Sequence, residues 1–288
     1  MGKRRTLARE VSASGVTLHA GVPVHMRLLP DAAGTGIRFR RTDIQGSAPV
    51  PALWSNVSET RLGTVLTGPD GVSAGVVEHL LAALAGAEVD DCLVELDGPE
   101  PPILDGDALS FLSRIEEAGV QERDAPRALI RVLRPVEAES GQSRVALLPA
   151  SELQFQAEID FSSAAIGRQE FALAFSPESF RSEIAPARTF GFLHEAEQLR
   201  KAGYSRGADL NNTLVIDGDR LMNGELLRFA DEFVRHKILD AIGDMKLAGA
   251  PLLARYEGRR SSHTLNNALL RALFSDPANY ERFTGEKS

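Results

Sequence analysis

The order of strand-forming and helix-forming segments, repeated in each half, is the feature that most restricts the fold of this chain. Residues 21–30 carry apolar side chains at every second position, which is typical of a strand with one buried face. Residues 73–91 have instead the apolar density of a buried helix. The second half repeats this order, which predicts an α+β fold of two similar two-layer domains, each a sheet with helices on one face.

Periodicity and turn-forming residues set the expected boundaries. Further strands are predicted at residues 36–41, 92–98, 129–139, 143–149, 153–161 and 169–175, and further helices at 106–120, 224–249 and 262–274. The polar, proline-containing segment 121–128 is the expected linker between a domain at 1–120 and a domain at 129–288. A chain of 288 residues suits two domains of about 140 residues each.

Composition excludes several classes of protein. The net charge of −8 argues against nucleic-acid binding, because phosphate contacts need a basic face. Cys92 is the single cysteine, which excludes an internal disulfide and fits a reducing, cytoplasmic setting. The longest apolar stretch, residues 80–89, is far shorter than the ~20 residues that cross a bilayer, so no stable membrane insertion is expected.

The mostly apolar segment 233–244 carries three titratable side chains on one side. His236, Asp240 and Asp244 are four residues apart, so successive members lie about 40° from each other around a helix. Charged groups in an apolar row are costly unless they are paired or bind a metal ion. A metal site is one interpretation, and a solvated helix face or a hydrogen bond between His236 and Asp240 is the other.

His79 supplies a possible third ligand. Glu78 and His79 are the polar residues of the otherwise apolar segment 76–86. His79, His236 and Asp240 together would match the ligand set of a catalytic zinc site, which keeps a fourth position for water. Glu78 projects about 100° away from His79 on a helix, which would leave it available as a general base. The alternative is a buried structural histidine with one hydrogen bond.

The sequence leaves both a surface role and a functional role open for His263 and for the two arginines before it. His263 follows two serines that would cap a helix, so a surface position and a catalytic role are both consistent with the pattern. Arg259 and Arg260 would contact phosphates or lie in a solvated turn.

Seven segments carry a resemblance to a known family. They are "SGVTLHAG", "VEHLLAALAG", "PEPPILDGDALSF", "ARTFGF", "LNNTLVID", "DEFVRHKILDAIGD" and "SHTLNNALLRAL". In this order they resemble the zinc-dependent UDP-3-O-acyl-N-acetylglucosamine deacetylases, which catalyse the committed step of lipid A biosynthesis. The resemblance runs from about residue 5 to about residue 274, and its most specific part is "VEHLLAALAG" followed at this separation by "HKILDAIGD".

The resemblance implies a role for each matching residue. The zinc ligands would be His79, His236 and Asp240, with Glu78 as general base. His263 would be the general acid, held charged and oriented by Asp244. Thr189 would stabilise the oxyanion, helped by zinc and Lys237. The implied contacts to the substrate, an acylated UDP-sugar, are Leu62, Phe161, Phe190, Gly191, Phe192 and Arg260, with Phe161 and Arg260 on the nucleotide sugar.

The resemblance also implies the arrangement of the domains. Their helices would be sandwiched between two sheets, with the active site between the domains and a hydrophobic passage for the acyl chain in the second domain. A cytoplasmic monomer is expected. The chain departs from the family pattern at Gly63, Gly75-Val76, Ser261-Ser262 and Glu195, which affects the details of substrate and inhibitor binding.

Two other functions remain as alternatives. One is a non-catalytic regulator that binds metal and nucleotide sugar on the same fold. The other is a zinc amidase that acts on a different acylated sugar. The presence of both Glu78 and His263 favours an enzyme, because a protein that only binds needs neither an acid nor a base.

Overall fold

The computed structural model of the chain describes residues 2–224 and 227–284. Its helices are α1 Glu78–Gly86, α2 Leu109–Ala118, α3 Pro177–Ser179, α4 Leu193–Lys201, α5 Glu232–Lys246 and α6 His263–Ser275. Short 3₁₀ turns lie at Trp54–Asn56 and Pro277–Asn279, and a π turn lies at Phe180–Ile184. Within these residues, none of the helices combines the length and the apolar character that a membrane crossing needs.

In the described part of the chain, nine strands come before residue 97. They are β1 Lys3–Leu7, β2 Val11–Val16, β3 Pro23–Pro30, β4 Ile37–Arg41, β5 Val50–Pro51, β6 Val57–Glu59, β7 Val65–Thr67, β8 Ser73–Ala74 and β9 Cys92–Leu96. The main sheet has the order β2-β3-β9-β4-β5, and its strands are antiparallel except for the parallel pair β4–β9. Strands β6, β7 and β8 form a separate small sheet.

The second half contains a larger sheet and a small βαβ unit. Its strands are β10 Val120–Pro126, β11 Ala128–Val132, β12 Val136–Ser140, β13 Ser143–Pro149, β14 Gln154–Asp160, β15 Arg168–Ala174, β16 Phe190–Phe192, β17 Leu214–Asp217, β18 Arg220–Leu221, β19 Leu252–Arg259 and β20 Tyr280–Thr284. The larger sheet has the order β12-β13-β19-β11-β20, and β14 joins it beside β19 with β15 beyond. Helix α4 connects the parallel strands β16 and β17, and we call residues 190–221 the α4 unit.

Helices α1, α2, α5 and α6 lie between the two main sheets. Helix α2 packs on β2 of the first sheet, whereas α6 packs on β12 and β13 of the second and α5 packs on β14 and β15. Helix α1 contacts both α2 and α5. The first sheet with its helices therefore meets the second sheet with its helices where α1 packs on α5. The predicted α+β architecture, with helices on one face of each sheet, is therefore confirmed.

Residues 121–128, the expected linker, include most of β10. This strand pairs in antiparallel register with β1, for example Leu7 with Val120, and β11 begins two residues after it ends. The chain therefore passes between its halves as a hydrogen-bonded strand. The assignment of two domains on either side of it stays a prediction.

Several predicted boundaries were wrong. The helix predicted at 224–249 begins at Glu232, and residues 225–226 lie outside the described part of the chain. The Glu232 carboxylate accepts the backbone N–H of Arg228 at 2.6 Å, which holds this segment in a turn. The helix predicted from residue 73 begins only at Glu78, because residues 73–74 form β8 and Val76 has a left-handed φ of 52°.

The contact between α1 and α5 requires a glycine. A Cβ atom built on Gly243 of α5 would lie 2.0 Å from the carbonyl oxygen of Glu78. The backbones of the two helices therefore approach each other with no side chain between them at this point. Because Glu78 opens α1, Gly243 sets the distance between the start of α1 and the middle of α5.

We predict that Gly243→Ala lowers the free energy of unfolding by about 1–3 kcal/mol, the usual cost of overpacking a core. The loss should appear although alanine has the higher helix propensity, by up to about 1 kcal/mol. Denaturant unfolding measures the change. Gly191→Ala is the matched control, because its added Cβ meets no atom within 4 Å. Equal stability of the Gly243→Ala protein and the native protein would contradict the close approach.

Candidate active site

Three helices bring the titratable residues of the sequence analysis to one place. Glu78 and His79 form the first turn of α1, His236, Asp240 and Asp244 lie along α5, and His263 opens α6. The first five are at most 5% exposed. The structure therefore places residues that are up to 185 positions apart in one buried cluster where α1 crosses α5.

His79, His236 and Asp240 form a group that could hold a metal ion. One nitrogen of each imidazole and one carboxylate oxygen all lie within 4.8 Å of one another. The Asp240 Oδ1 atom lies 3.6 Å from His79 Nε2 and 3.4 Å from His236 Nε2. The other oxygen of Asp240 accepts a 2.8 Å hydrogen bond from the amine of Lys237, which leaves Oδ1 directed at the two rings.

The hydrogen bonding of His236 supports cation binding. Its Nδ1 lies 3.0 Å from the carbonyl oxygen of Ala187, and a carbonyl only accepts, so the ring proton is on Nδ1. Burial lowers the pKa of His236 to about 4, which keeps the ring neutral. The lone pair of Nε2 therefore faces the Asp240 carboxylate across a buried gap. Two electron-pair donors in this position fit a shared cation between them.

Asp240 is held as an anion. Burial opposes its ionisation, but the nearby Lys237 ammonium group helps to outweigh burial, and the pKa of Asp240 lies well below its ordinary value. The buried Nδ1 atom of His79 has no hydrogen-bond partner among the described residues. The cluster thus combines an ionised carboxylate with two imidazoles, which is the donor set of a zinc-type site.

Asp244 anchors a second network beside the first. Its Oδ1 accepts a 2.6 Å hydrogen bond from the hydroxyl of Thr64, and its Oδ2 lies 2.8 Å from both Asn266 Nδ2 and His263 Nδ1. The hydroxyl of Tyr256 donates to Asn266 Oδ1 at 2.7 Å, which turns the amide nitrogen of Asn266 toward Asp244. Asp244 therefore has fixed partners on both oxygens and orients the His263 ring.

His263 and Glu78 are adjacent. A charged His263 could donate a proton, and an ionised Glu78 could accept one. Burial disfavours the charged form of His263, but Asp244 and Glu78 outweigh it and raise the pKa of His263 to about 9. Burial raises the pKa of Glu78, and the neighbouring histidines oppose that shift. His263 Nε2 lies 3.7 Å from Glu78 Oε1, while Glu78 Oε2 accepts the backbone N–H of Thr64 at 2.9 Å. One oxygen of Glu78 is thus held by Thr64, and the other faces His263.

Thr189 lies in a segment that touches the cluster through its neighbour. Its backbone N–H donates to the carbonyl of Gly106, and its own carbonyl accepts the N–H of Leu214. Ala187, two residues earlier, is the partner of His236 Nδ1. Backbone hydrogen bonds therefore hold the segment that carries Thr189 beside the group that could hold a metal ion.

Aromatic rings extend from His236 toward the α4 unit. The ring of Phe190 lies 6.2 Å from that of His236 and 5.8 Å from that of Phe161, and Phe161 lies 5.7 Å from Phe192. Arg260, with a left-handed φ of 49°, donates to Asp160 next to Phe161. The structure thus brings Phe161, Phe190, Phe192 and Arg260 to one side of the cluster.

An apolar cavity of about 250 Å³ lies within the α4 unit. Its walls include Gly191, Phe192, Leu199, Leu210, Val215 and Met222. Leu210 and Met222 are about half exposed, which marks the cavity as open to solvent. Leu62, also singled out from the sequence, is not among the residues that line this cavity. Its carbonyl oxygen lies 2.8 Å from His19 Nε2.

Sequence reasoning missed several residues that complete the site. They are Thr64, Tyr256, Asn266 and Gly243, which hold or space the titratable groups. Thr64 and Asp244 are 180 residues apart, so no local pattern connects them. Asn266 was within reach of the sequence, because it lies three residues after His263 and therefore on the same face of a helix.

Comparison with known proteins assigns the family. Residues 4–275 match the family model described as UDP-3-O-acyl N-acetylglycosamine deacetylase. A protein of this name from Phenylobacterium zucineum is 49% identical over 265 residues, which cover 92% of this chain and 90% of the relative. Relatives with the same name from Myxococcus xanthus and Brucella melitensis are each 45% identical and cover 96% of this chain, over 88% and 97% of their own lengths. The chain described here therefore belongs to the UDP-3-O-acyl N-acetylglycosamine deacetylase family.

Proposed function

We propose that the chain hydrolyses the N-acetyl group of UDP-3-O-acyl-N-acetylglucosamine, releasing acetate and UDP-3-O-acyl-glucosamine in the committed step of lipid A biosynthesis. The observation that carries the proposal is the buried His79, His236 and Asp240 group with Glu78 and His263 beside it. The names of the relatives support the substrate. We also propose, from composition and family, that it acts in the cytoplasm as a monomer.

The proposed cofactor is one zinc ion held by His79, His236 and Asp240. Two imidazoles and one carboxylate suit zinc and leave room for a non-protein ligand. When bound, zinc would polarise the acetyl carbonyl and make a water molecule more acidic. Lys237 keeps one oxygen of Asp240 occupied, which leaves the other oxygen for the ion.

Glu78 is the proposed general base. Its Oε2 is fixed by the Thr64 N–H, so the other oxygen is left to take the proton of the attacking water. Burial raises the pKa of Glu78 and makes the carboxylate a stronger base than an exposed one.

His263 is the proposed general acid. An amine leaves poorly unless it is protonated, and a charged His263 supplies that proton from Nε2, because Nδ1 is engaged by Asp244. Thr189 and Lys237 are the proposed stabilisers of the oxyanion, since a hydroxyl and an ammonium group both donate to developing negative charge.

The proposed substrate contacts follow the surfaces beside the cluster. The aromatic rings of Phe161, Phe190 and Phe192 would pack on the nucleotide sugar, and Arg260 would contact its phosphates. The cavity of the α4 unit, with Gly191 in its wall, would take the acyl chain. Leu62 would contact the substrate from the opposite side.

The close pairing of His263 with Glu78 favours this enzyme over a protein that only binds metal and nucleotide sugar. A zinc amidase for another acylated sugar would use the same chemistry and differ in substrate. A substrate panel therefore separates these two activities.

The first prediction concerns substrate and metal together. We expect acetate release from UDP-3-O-acyl-N-acetylglucosamine, its loss after chelation, and its return when zinc is restored, because the metal supplies the Lewis acid. Acetate release is measured on the same preparation at each stage, and UDP-N-acetylglucosamine without an acyl chain serves as the comparison. Folded, zinc-loaded protein that releases no acetate from any acylated sugar would favour the binding-only alternative.

The second prediction separates the acid from the ligands. His263→Ala should lower kcat by about 10²- to 10⁴-fold, the usual contribution of a general acid, and should still bind one zinc ion. His236→Ala is the matched variant and should lose the zinc ion. Elemental analysis measures the zinc content of each variant, and acetate release measures kcat. Loss of zinc from His263→Ala would make His263 a ligand.

The third prediction is a shift in pH dependence. If protonated His263 is required, the rate falls as pH rises through its pKa, which nearby carboxylates raise. Asp244→Asn removes one of those negative charges, so the pKa of His263 falls and the alkaline limb of the kcat profile should move to lower pH. Thr64→Ser, which keeps a hydroxyl on Asp244, should leave the limb in place. An unmoved limb in Asp244→Asn would assign that limb to another group.

A further inference from the structure

The loop at residues 60–64 contacts Glu78, the proposed base, and Asp244, which orients the proposed acid His263. Thr64 contacts Glu78 through its backbone N–H and Asp244 through its hydroxyl. At the other end of the loop, the hydroxyl of Thr60 lies 2.9 Å from that of Thr264 on α6. The position of Leu62, between these ends, is set by a third contact, which comes from outside the catalytic cluster.

His19 makes that third contact in a defined tautomer. The backbone N–H of Ser205 donates to His19 Nδ1 at 3.3 Å, so Nδ1 is unprotonated and the ring proton is on Nε2. His19 Nε2 then donates to the carbonyl oxygen of Leu62 at 2.8 Å. A neutral His19 therefore bridges the α4 unit, to which Ser205 belongs, and loop 60–64.

Tyr204 reinforces this bridge from the α4 unit. The edge of its ring packs on His19, with centroids 5.3 Å apart and planes at 82°. The guanidinium of Arg61 lies over the same ring, 5.2 Å from its centroid. Tyr204 thus contacts His19 and Arg61 together, and Arg61 belongs to loop 60–64.

The wall of the apolar cavity is continuous with Tyr204. The backbone N–H of Tyr204 donates to the carbonyl of Leu199 at 2.8 Å, and both Leu199 and Ser205 line the cavity. Backbone hydrogen bonds also join Arg206 to His19 and Gly207 to Leu18. The cavity wall is therefore joined by backbone hydrogen bonds to the residues that hold Leu62.

We propose that Tyr204, with Arg61 and His19, is a clasp that transmits filling of the apolar cavity to loop 60–64. The inference rests on the proposed function, in which the cavity takes the acyl chain. An acyl chain packed against Leu199 and Ser205 orders the segment that carries Tyr204. The ordered clasp fixes loop 60–64 and, through Thr64, the orientation of Glu78. Binding energy from a part of the substrate remote from the reaction is used in this way to orient the base. Tyr204 and Arg61 are positioning residues and do not contact the reacting atoms.

The first test is amide hydrogen exchange in the zinc-loaded protein with UDP-3-O-acyl-glucosamine, the product, so that no turnover occurs. We expect the acylated product to slow exchange in residues 60–64 and UDP-glucosamine to have little effect. Tyr204→Ala should reduce that protection about tenfold, because the substitution removes one aromatic contact and one cation–π contact. Tyr204→Phe is the matched control and should behave like the native protein, because it keeps the ring.

The second test is steady-state kinetics of the same variants. Tyr204→Ala should lower kcat on the acylated substrate about tenfold, with KM within about twofold, because the clasp orients the base after binding. Zinc content and thermal stability should match those of Tyr204→Phe.

Three results would overturn the clasp. They are equal protection of residues 60–64 by the acylated and unacylated ligands, unchanged protection in Tyr204→Ala, and an effect of Tyr204→Ala on KM alone. Failure of the proposed function is a separate result, because it appears as absence of acetate release from the native protein. The exchange experiment does not depend on turnover and tests the clasp in that case also.

Discussion

The close contact of the α1 and α5 backbones, at the carbonyl of Glu78 and Gly243, is the constraint on which the site depends. Neither helix alone carries the whole group, because His79 lies on α1 whereas His236 and Asp240 lie on α5. When the helices meet without an intervening side chain, His79 comes within 3.6 Å of Asp240. A looser crossing would leave several buried ionisable groups without partners, which is among the costliest arrangements in a protein core.

Two carboxylates one helical turn apart are given different tasks by their neighbours. Asp240 has Lys237 on one oxygen and two imidazoles on the other, which suits an anion that contacts a cation. Asp244 is surrounded by hydrogen-bond donors, and one of them is the ring of His263. The spacing of four residues along α5 therefore places the group that could hold a metal ion and the hydrogen-bond network of His263 side by side.

The sequence predicted those features whose signal is local. Polar residues within apolar helices stand out, so Glu78, His79, His236 and Asp240 were identified before their positions were known. The starts of α1 and α5 and two partners of Asp244, Thr64 and Asn266, depend on contacts with other segments, and these were missed. Strand β19 was missed as well, although it pairs with β11, β13 and β14, because its alternating pattern is short and is followed at once by the charged residues near Arg259. Metal-binding roles, the domain division and the substrate contacts remain predictions.

The position of β19 in the larger sheet has a consequence for how the chain folds during synthesis. This strand lies between β13 and β11 and also carries β14, yet it comes after residue 251. The strands that precede it cannot complete their sheet until the last part of the chain has left the ribosome. The first sheet has no such requirement, because β2 to β9 end at Leu96. The first half is therefore able to form while translation continues, whereas the second half waits with exposed strand edges that are open to chaperones.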